Sequence, residues 1–139
     1  MTTKKLRILL VEDDGNIARI IVIAMHDLGV PYELDQAFSA EEGLELWGQH
    51  PYDLVLTDYN LRGMSGLALI ATLKDRGVNI PFVLFTAYDD AKVRREARRI
   101  GVTEFIAKPF VIEDFVNHAR NLLPIKASEI GAETSGLNG

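Results

Sequence analysis

Carboxylates and a lysine follow three short apolar runs of this chain. Asp58 closes the run 52–57, Glu12 and Asp13 close the run 6–11, and Lys108 follows the run 103–107. The carboxyl ends of parallel strands meet at one edge of a sheet, so we expect these side chains to lie together there. Oxygen ligands of this kind suit a divalent cation, and a lysine opposite them suits an anion. The pattern predicts phosphoryl chemistry on an aspartate.

The residue types also assign chemical roles. Asp13 and Asp58 suit direct coordination of Mg²⁺ or Mn²⁺, with Glu12 acting through a water and the backbone carbonyl of Asn60 supplying a further oxygen. As nucleophile, Asp58 would attack a phosphoryl group in line. The ammonium of Lys108 and the hydroxyl of Thr86, which follows the run 81–85, would stabilise its equatorial oxygens. Asp14 is better interpreted as a helix cap than as a metal ligand.

Short runs rich in Val, Ile and Leu alternate five times with segments of helical period, which predicts a doubly wound α/β fold with a parallel sheet and helices on both faces. The predicted strands are 6–11, 32–36, 52–57, 81–85 and 103–106. The predicted helices are one that stops at Gly29, one that starts at Ser39, and those at about 65–75, 89–100 and 112–123.

Particular residues define the helices further. In the first, the predicted buried face contains Ile17, Ile20, Ile21, Ala24, Met25 and Leu28. Ser39, with Glu42 three residues later, is typical of a capping box at the start of the second helix. Trp47 on the same helix should partly cover the sheet. Val111 precedes the fifth helix, in the position where a capping side chain is expected but missing.

Length and composition limit the classes of protein. The chain has 139 residues, 47% of them hydrophobic, which predicts one domain at 1–123 followed by a flexible Gly-, Ser-, Ala- and Glu-rich tail at 124–139. It has no cysteine, so its chemistry must use oxygen and nitrogen groups. Its net charge of −5 argues against nucleic-acid binding by this domain, and its N-terminal apolar run is too short for a signal peptide or membrane span. We therefore expect a cytoplasmic protein with protein partners.

These motifs together resemble the receiver domain of two-component response regulators, of the single-domain chemotaxis-regulator type. The resemblance covers about Leu6 to Leu123. It depends on the sequences Leu10-Val11-Glu12-Asp13-Asp14, Asp58 followed by Gly63-Met64-Ser65-Gly66, Thr86-Ala87, and Lys108-Pro109-Phe110.

The resemblance implies a flavodoxin-like fold of five parallel strands ordered 2-1-3-4-5. It implies that Asp58 is the phosphoacceptor, Glu12 and Asp13 the acidic pair for magnesium, and Lys108 the phosphate partner. It further implies a switch pair of Thr86 and Phe105, and a cis bond before Pro109. The phosphoryl donor would be a sensor histidine kinase or a histidine phosphotransfer protein.

Some residues depart from the family pattern or tune it. Asn60 and Tyr88, two places beyond Asp58 and Thr86, lie where the family controls the phosphoryl lifetime, and we expect Tyr88 to shield the acyl phosphate partly. Arg62 stands where the family usually has proline, which leaves that loop less fixed in φ. Phe105 lacks the hydroxyl that a tyrosine would offer to a switch.

The fourth predicted helix has a basic exposed side, made of Lys92, Arg94, Arg95, Arg98 and Arg99. One interpretation is a solvated amphipathic face. The other is that an acidic partner or a second receiver docks on the fourth helix, fifth strand and fifth helix, the surface that the family uses for output.

Two further functions remain open. The chain could be the receiver part of a longer DNA-binding regulator, which would need residues beyond this sequence for its helix-turn-helix. It could also be an aspartyl-phosphate phosphatase. Such enzymes, however, carry two aspartates in the order Asp-x-Asp, and here Asn60 stands at the second position. The receiver is not expected to be an enzyme beyond its own phosphorylation and dephosphorylation.

Overall fold

The computed structural model describes residues 5–87, 90–108 and 111–123. Five parallel strands form one sheet in the order β2-β1-β3-β4-β5, so the predicted fold class and strand order are confirmed. The strands are β1 (Leu6–Val11), β2 (Tyr32–Ala37), β3 (Leu54–Asp58), β4 (Phe82–Thr86) and β5 (Glu104–Ala107). The helices are α1 (Gly15–Met25), α2 (Ala40–Gln49), α3 (Gly66–Asp75), α4 (Ala91–Ile100) and α5 (Ile112–Leu122).

The helices cover both faces of the sheet, and alternate strand residues therefore enter two different cores. Along β1, Ile8 and Leu10 pack with α1 and α5, whereas Leu9 and Val11 pack with α2, α3 and α4. This covering explains why the central strands read as continuous apolar runs and not as alternating ones. Trp47 is half-buried against the second core, as its sequence context predicts.

Four strands extend one residue further towards the C-terminus than predicted. Asp58 and Thr86 are the last residues of β3 and β4 instead of the residues that follow them, while β2 ends at Ala37 and β5 at Ala107. The backbone ladder explains this at the site, because Asp58 pairs with Phe85 and Thr86 pairs with Ala107 whatever their side chains are. Asp58 and Thr86 are thus held by the sheet itself.

The predicted caps are mostly confirmed. Asp14 Oδ1 accepts hydrogen bonds from the backbone N–H groups of Asn16 and Ile17, which makes it the N-cap of α1. Ser39 Oγ accepts the N–H of Glu42, but the Glu42 carboxylate accepts from Phe38 N, one residue earlier than a capping box requires. Gly29 has φ +88 after a 3₁₀ turn (His26–Leu28), and Val111 makes no side-chain cap.

One predicted core residue is wrong. Ile20 is 48% exposed, whereas Ala18, Ile21 and Met25 are fully buried. At about 100° per residue, position 20 lies roughly 160° from position 18, so it cannot share the face on which Ala18 is centred.

Several predictions fall on residues outside the described ranges. These are the shielding role of Tyr88, the cis bond between Lys108 and Pro109, and the flexible tail at 124–139. Within the described ranges, none of the helices is long and apolar enough to span a bilayer.

Candidate functional site

Three acids from two adjacent strand ends converge on one spot. Residues Val11 and Thr57 are paired in the β1–β3 ladder, so Glu12 and Asp13 emerge beside Asp58. Each of the three offers a carboxylate oxygen, and these oxygens all lie within 4.8 Å of one another. Glu12 is fully buried and Asp58 is 4% exposed, while Asp13 is half-buried at the rim. The convergence predicted from the strand ends is therefore present in the fold.

Lys108 lies on the other side of Asp58. Its Nζ is 3.6 Å from Asp58 Oδ2, and the side chain is mostly buried. The backbone places it, because the N–H of Lys108 donates to the carbonyl of Thr86 at 2.7 Å and so continues the β4–β5 ladder past its last strand residue. An ammonium here can neutralise negative charge that develops next to Asp58.

The loop after β3 encloses Asp58. The N–H of Asn60 donates to Asp58 Oδ1 at 3.4 Å, so Asn60 lies beside the carboxylate. The hydroxyl of Thr57 donates to the backbone carbonyl of Asp58 at 3.0 Å. Gly66, at the start of α3, passes so close to that carbonyl that no side chain fits there.

Burial and like charge act strongly on Glu12. Burial, and after it the negative charge of Asp58, raise the pKa of the Glu12 carboxyl from its ordinary value of 4.5 to about 8. The N–H of Asp14 and the ammonium of Lys108 oppose the rise without cancelling it. Without a cation, the cluster thus favours a protonated Glu12 at neutral pH.

The cluster fits a divalent cation. Glu12 Oε1 is buried and has no hydrogen-bond partner in the part of the chain that the structure describes. A hard cation with oxygen ligands would satisfy this atom and remove the repulsion among the three acids. The donor set contains only oxygen, which suits Mg²⁺ or Mn²⁺.

The raised pKa of Glu12 predicts a pH dependence of stability. Because the folded protein binds this proton more tightly than the unfolded chain, the free energy of unfolding without metal should fall as the pH rises from about 4.5 to about 8. Urea titrations in a chelator at several pH values measure this slope. Glu12→Gln should remove it, and so should saturating Mg²⁺. A slope that is unchanged in Glu12→Gln would contradict the assignment.

The two predicted switch residues lie on one face of the sheet. Phe105 pairs with Leu84 in the β4–β5 ladder, and Thr86 lies two residues beyond Leu84, so both side chains point towards the α2–α4 face. Thr86 is fully buried and Phe105 is half-buried. The guanidinium of Arg94, on α4, lies 4.4 Å from the centroid of the Phe105 ring.

Sequence reasoning missed two contacts at or near the site. Arg94 was treated only as part of a basic exposed side, but it stacks on Phe105. The backbone N–H of Arg62 donates to Asp13 Oδ2 at 3.2 Å. No residue type signals the second contact, since every residue except proline carries this donor.

Comparisons with known proteins agree with this fold. The family model described as the response regulator receiver domain matches residues 8–120, and the chain belongs to that family. It is therefore a response regulator receiver domain, the phosphoryl-accepting module of two-component systems.

Two relatives and one solved structure illustrate the similarity. It is 32% identical over 115 residues to the transcriptional regulatory protein DltR of Streptococcus agalactiae, covering 83% of this chain and 50% of that protein. It is 28% identical over 122 residues to sporulation initiation phosphotransferase F of Bacillus subtilis, covering 88% and 97%. A putative response regulator from Chloroflexus aurantiacus superposes with a TM-score of 0.78 at 26% identity, covering 88% and 100%. The chain thus spans about half the length of DltR and nearly all of the phosphotransferase.

Proposed function

We propose that Asp58 is the residue that accepts the phosphoryl group. The observation that carries this proposal is the position of Asp58 between an acidic cluster and Lys108, whose Nζ is 3.6 Å from Asp58 Oδ2. A carboxylate oxygen of Asp58 forms a bond to phosphorus while the bond from phosphorus to the donor breaks, and the leaving group departs with that electron pair. Lys108 neutralises the charge of the phosphoryl oxygens, and the nearby Thr86 hydroxyl is proposed to donate to them.

The proposed cation is Mg²⁺, with Mn²⁺ as a substitute. Glu12, Asp13 and Asp58 would hold it, together with the backbone carbonyl of Asn60. When bound, the cation supplies charge neutralisation of the phosphoryl oxygens. Asn60 is exposed beside Asp58, which supports its proposed role in controlling water access and phosphoryl lifetime. Tyr88 is proposed to share that role.

The proposed donor is a sensor histidine kinase or a histidine phosphotransfer protein. Similarity over nearly the whole length of a sporulation initiation phosphotransferase supports a role in phosphoryl transfer. Phe38, which follows β2, and Val111, which precedes α5, are 52% and 60% exposed at the edge of the sheet where the site lies. Exposed apolar side chains at the same edge of the sheet as the site suit a protein donor better than a small charged metabolite. A cytoplasmic location belongs to the same proposal.

The proposed output is a change in the surface formed by α4, β5 and α5. Phosphorylation would draw the Thr86 hydroxyl towards Asp58 and free space for Phe105, which points to the same face of the sheet. A downstream protein or a second receiver would bind the surface that results. The basic side of α4 favours a partner with acidic groups, and no contact with nucleic acid is proposed for this domain.

Arg94 should resist the rearrangement of Phe105. A cation–π contact of this kind is worth about 0.5–1 kcal/mol at an exposed site, which is roughly a two- to fivefold change in a conformational equilibrium. Arg94→Gln should therefore accelerate phosphorylation from a small acyl-phosphate donor by about that factor. Arg95→Gln, one residue further along the exposed side, is the matched control. Equal effects of the two substitutions would contradict the role of the stack.

Intact-mass analysis tests the proposed function. The protein is treated with a small acyl-phosphate donor, with and without Mg²⁺. A single phosphoryl adduct that needs Mg²⁺ is the expected result. Steady turnover of many phosphorylated metabolites, without a stable adduct, would favour the phosphatase instead.

A second candidate is control of a DNA-binding segment within a longer protein. The match to only half the length of DltR, a transcriptional regulatory protein, is the observation that favours it. In that case the surface formed by α4, β5 and α5 would act, after phosphorylation of Asp58, on a further domain of the same protein.

A further inference from the structure

The loop between β3 and α3 is tied to the acidic cluster by one backbone group. The N–H of Arg62 donates to Asp13 Oδ2 at 3.2 Å, across 49 residues of sequence. The Arg62 side chain itself is exposed. The contact therefore uses the main chain of residue 62 and does not depend on its guanidinium.

Asp13 needs such a partner more than the other two acids do. Glu12 is fully buried, and Asp58 is the last residue of a central strand. Asp13 follows the end of β1 and is half-buried, so neither the sheet ladder nor close packing fixes its side chain to the same degree. A hydrogen bond to an ionised carboxylate is among the stronger ones available to hold it.

The donor is itself held in place. Leu61, the preceding residue, is 8% exposed and its N–H donates to the carbonyl of Tyr59 at 3.2 Å. The N–H of Gly66 donates to the same carbonyl at 3.0 Å and closes the loop onto the end of β3. The Arg62 N–H is thus presented at a fixed place before any ligand arrives.

We propose that the backbone N–H of Arg62 is a positioning group, which orients the Asp13 carboxylate towards the divalent cation. With this hydrogen bond formed, Asp13 already offers an oxygen within 4.8 Å of oxygens from Glu12 and Asp58. The inference rests on the proposed function, since it assumes that the acidic cluster binds a cation. It adds that the cluster is completed by the β3–α3 loop and not by the strand ends alone.

Two substitutions at residue 62 separate the N–H from the side chain. Arg62→Pro removes the donor, and Arg62→Ala keeps it while removing the guanidinium. Loss of an outer partner of a metal ligand costs about 10–100-fold in affinity, and we expect about tenfold weaker Mn²⁺ binding in Arg62→Pro because Asp13 is only half-buried. Arg62→Ala should bind Mn²⁺ like the parent. Mn²⁺ binding is measured from the loss of the free-ion EPR signal.

Proline at residue 62 also restricts the backbone of Leu61. A second pair of proteins therefore separates loss of the N–H from an altered backbone. An ester bond at residue 62, introduced with lactic acid, replaces the N–H by oxygen without fixing φ, and its matched control is Arg62→Ala. The ester should bind Mn²⁺ more weakly than Arg62→Ala while showing a similar urea midpoint in chelator.

A double-mutant cycle identifies Asp13 as the target of the N–H. In an Asp13→Ala background, Arg62→Pro should cause no further loss of Mn²⁺ affinity. An equal loss in both backgrounds would overturn the inference, and so would a parent-like affinity of the ester protein. If every variant bound Mn²⁺ like the parent, only this inference would fail, and the cation site of the proposed function would stand. If the parent protein itself bound no Mn²⁺, the cation site would fail as well.

Discussion

Asp58→Asn is expected to abolish the Mg²⁺-dependent phosphoryl adduct completely. An amide oxygen does not form a stable acyl phosphate, because the neutral amide is a far weaker nucleophile than a carboxylate. The substitution keeps the shape of the side chain, so the amide would still fit between Lys108 and Glu12. Intact-mass analysis after treatment with an acyl-phosphate donor measures the result.

Asp75→Asn is the matched control, because Asp75 is an exposed aspartate at the end of α3. It should give the parent adduct in full. Removal of the Asp58 charge should also lower the raised pKa of Glu12, since that charge is one of its causes. An adduct that persists in Asp58→Asn would show that another residue accepts the phosphoryl group.

Gly66→Ala is expected to give the second largest effect, on stability and phosphorylation together. A Cβ at residue 66 would overlap the backbone carbonyl of Asp58 and come within 3.0 Å of Thr57 Oγ1. Backbone at the end of a central strand cannot yield without moving the Asp58 side chain. The overlap should lower the free energy of unfolding by about 2–3 kcal/mol, measured by urea denaturation, and reduce adduct formation.

Gly48→Ala provides the comparison. A Cβ at this position in α2 meets no atom within 4 Å, and alanine is favoured over glycine in a helix by about 0.5–1 kcal/mol. Gly48→Ala should therefore raise the free energy of unfolding. A neutral Gly66→Ala would mean that the β3–α3 loop shifts more freely than the hydrogen bonds to the Tyr59 carbonyl indicate.

The site could be predicted where side-chain type and strand periodicity carry the information. Asp58 and Glu12 stand at the ends of buried apolar runs, and parallel strand ends must meet, so their convergence follows from sequence alone. The confirmed caps Asp14 and Ser39 have a similar basis, because their side chains act on neighbouring backbone groups.

What could not be predicted depends on three-dimensional placement. Ile20 fits a helical repeat, yet only the packing of Ala18 and Ile21 decides which side of α1 is buried. Arg94 could be recognised as basic, but its stacking on Phe105 depends on how α4 lies over β5. The Arg62 N–H has no signature at all in residue types. The roles of Tyr88 and the bond before Pro109 stay predictions.

Consecutive residues at the end of β4 point to opposite faces of the sheet. Phe85 packs edge-on against Phe115 of α5, with ring centroids 5.3 Å apart. The side chain of its neighbour Thr86 points to the layer that contains α4. A displacement of Thr86 therefore reaches only one of the two layers directly. Substitutions in the layer that contains α4 can therefore change the α4 and β5 parts of the proposed binding surface, while α5 stays anchored to the sheet through the contact between Phe85 and Phe115.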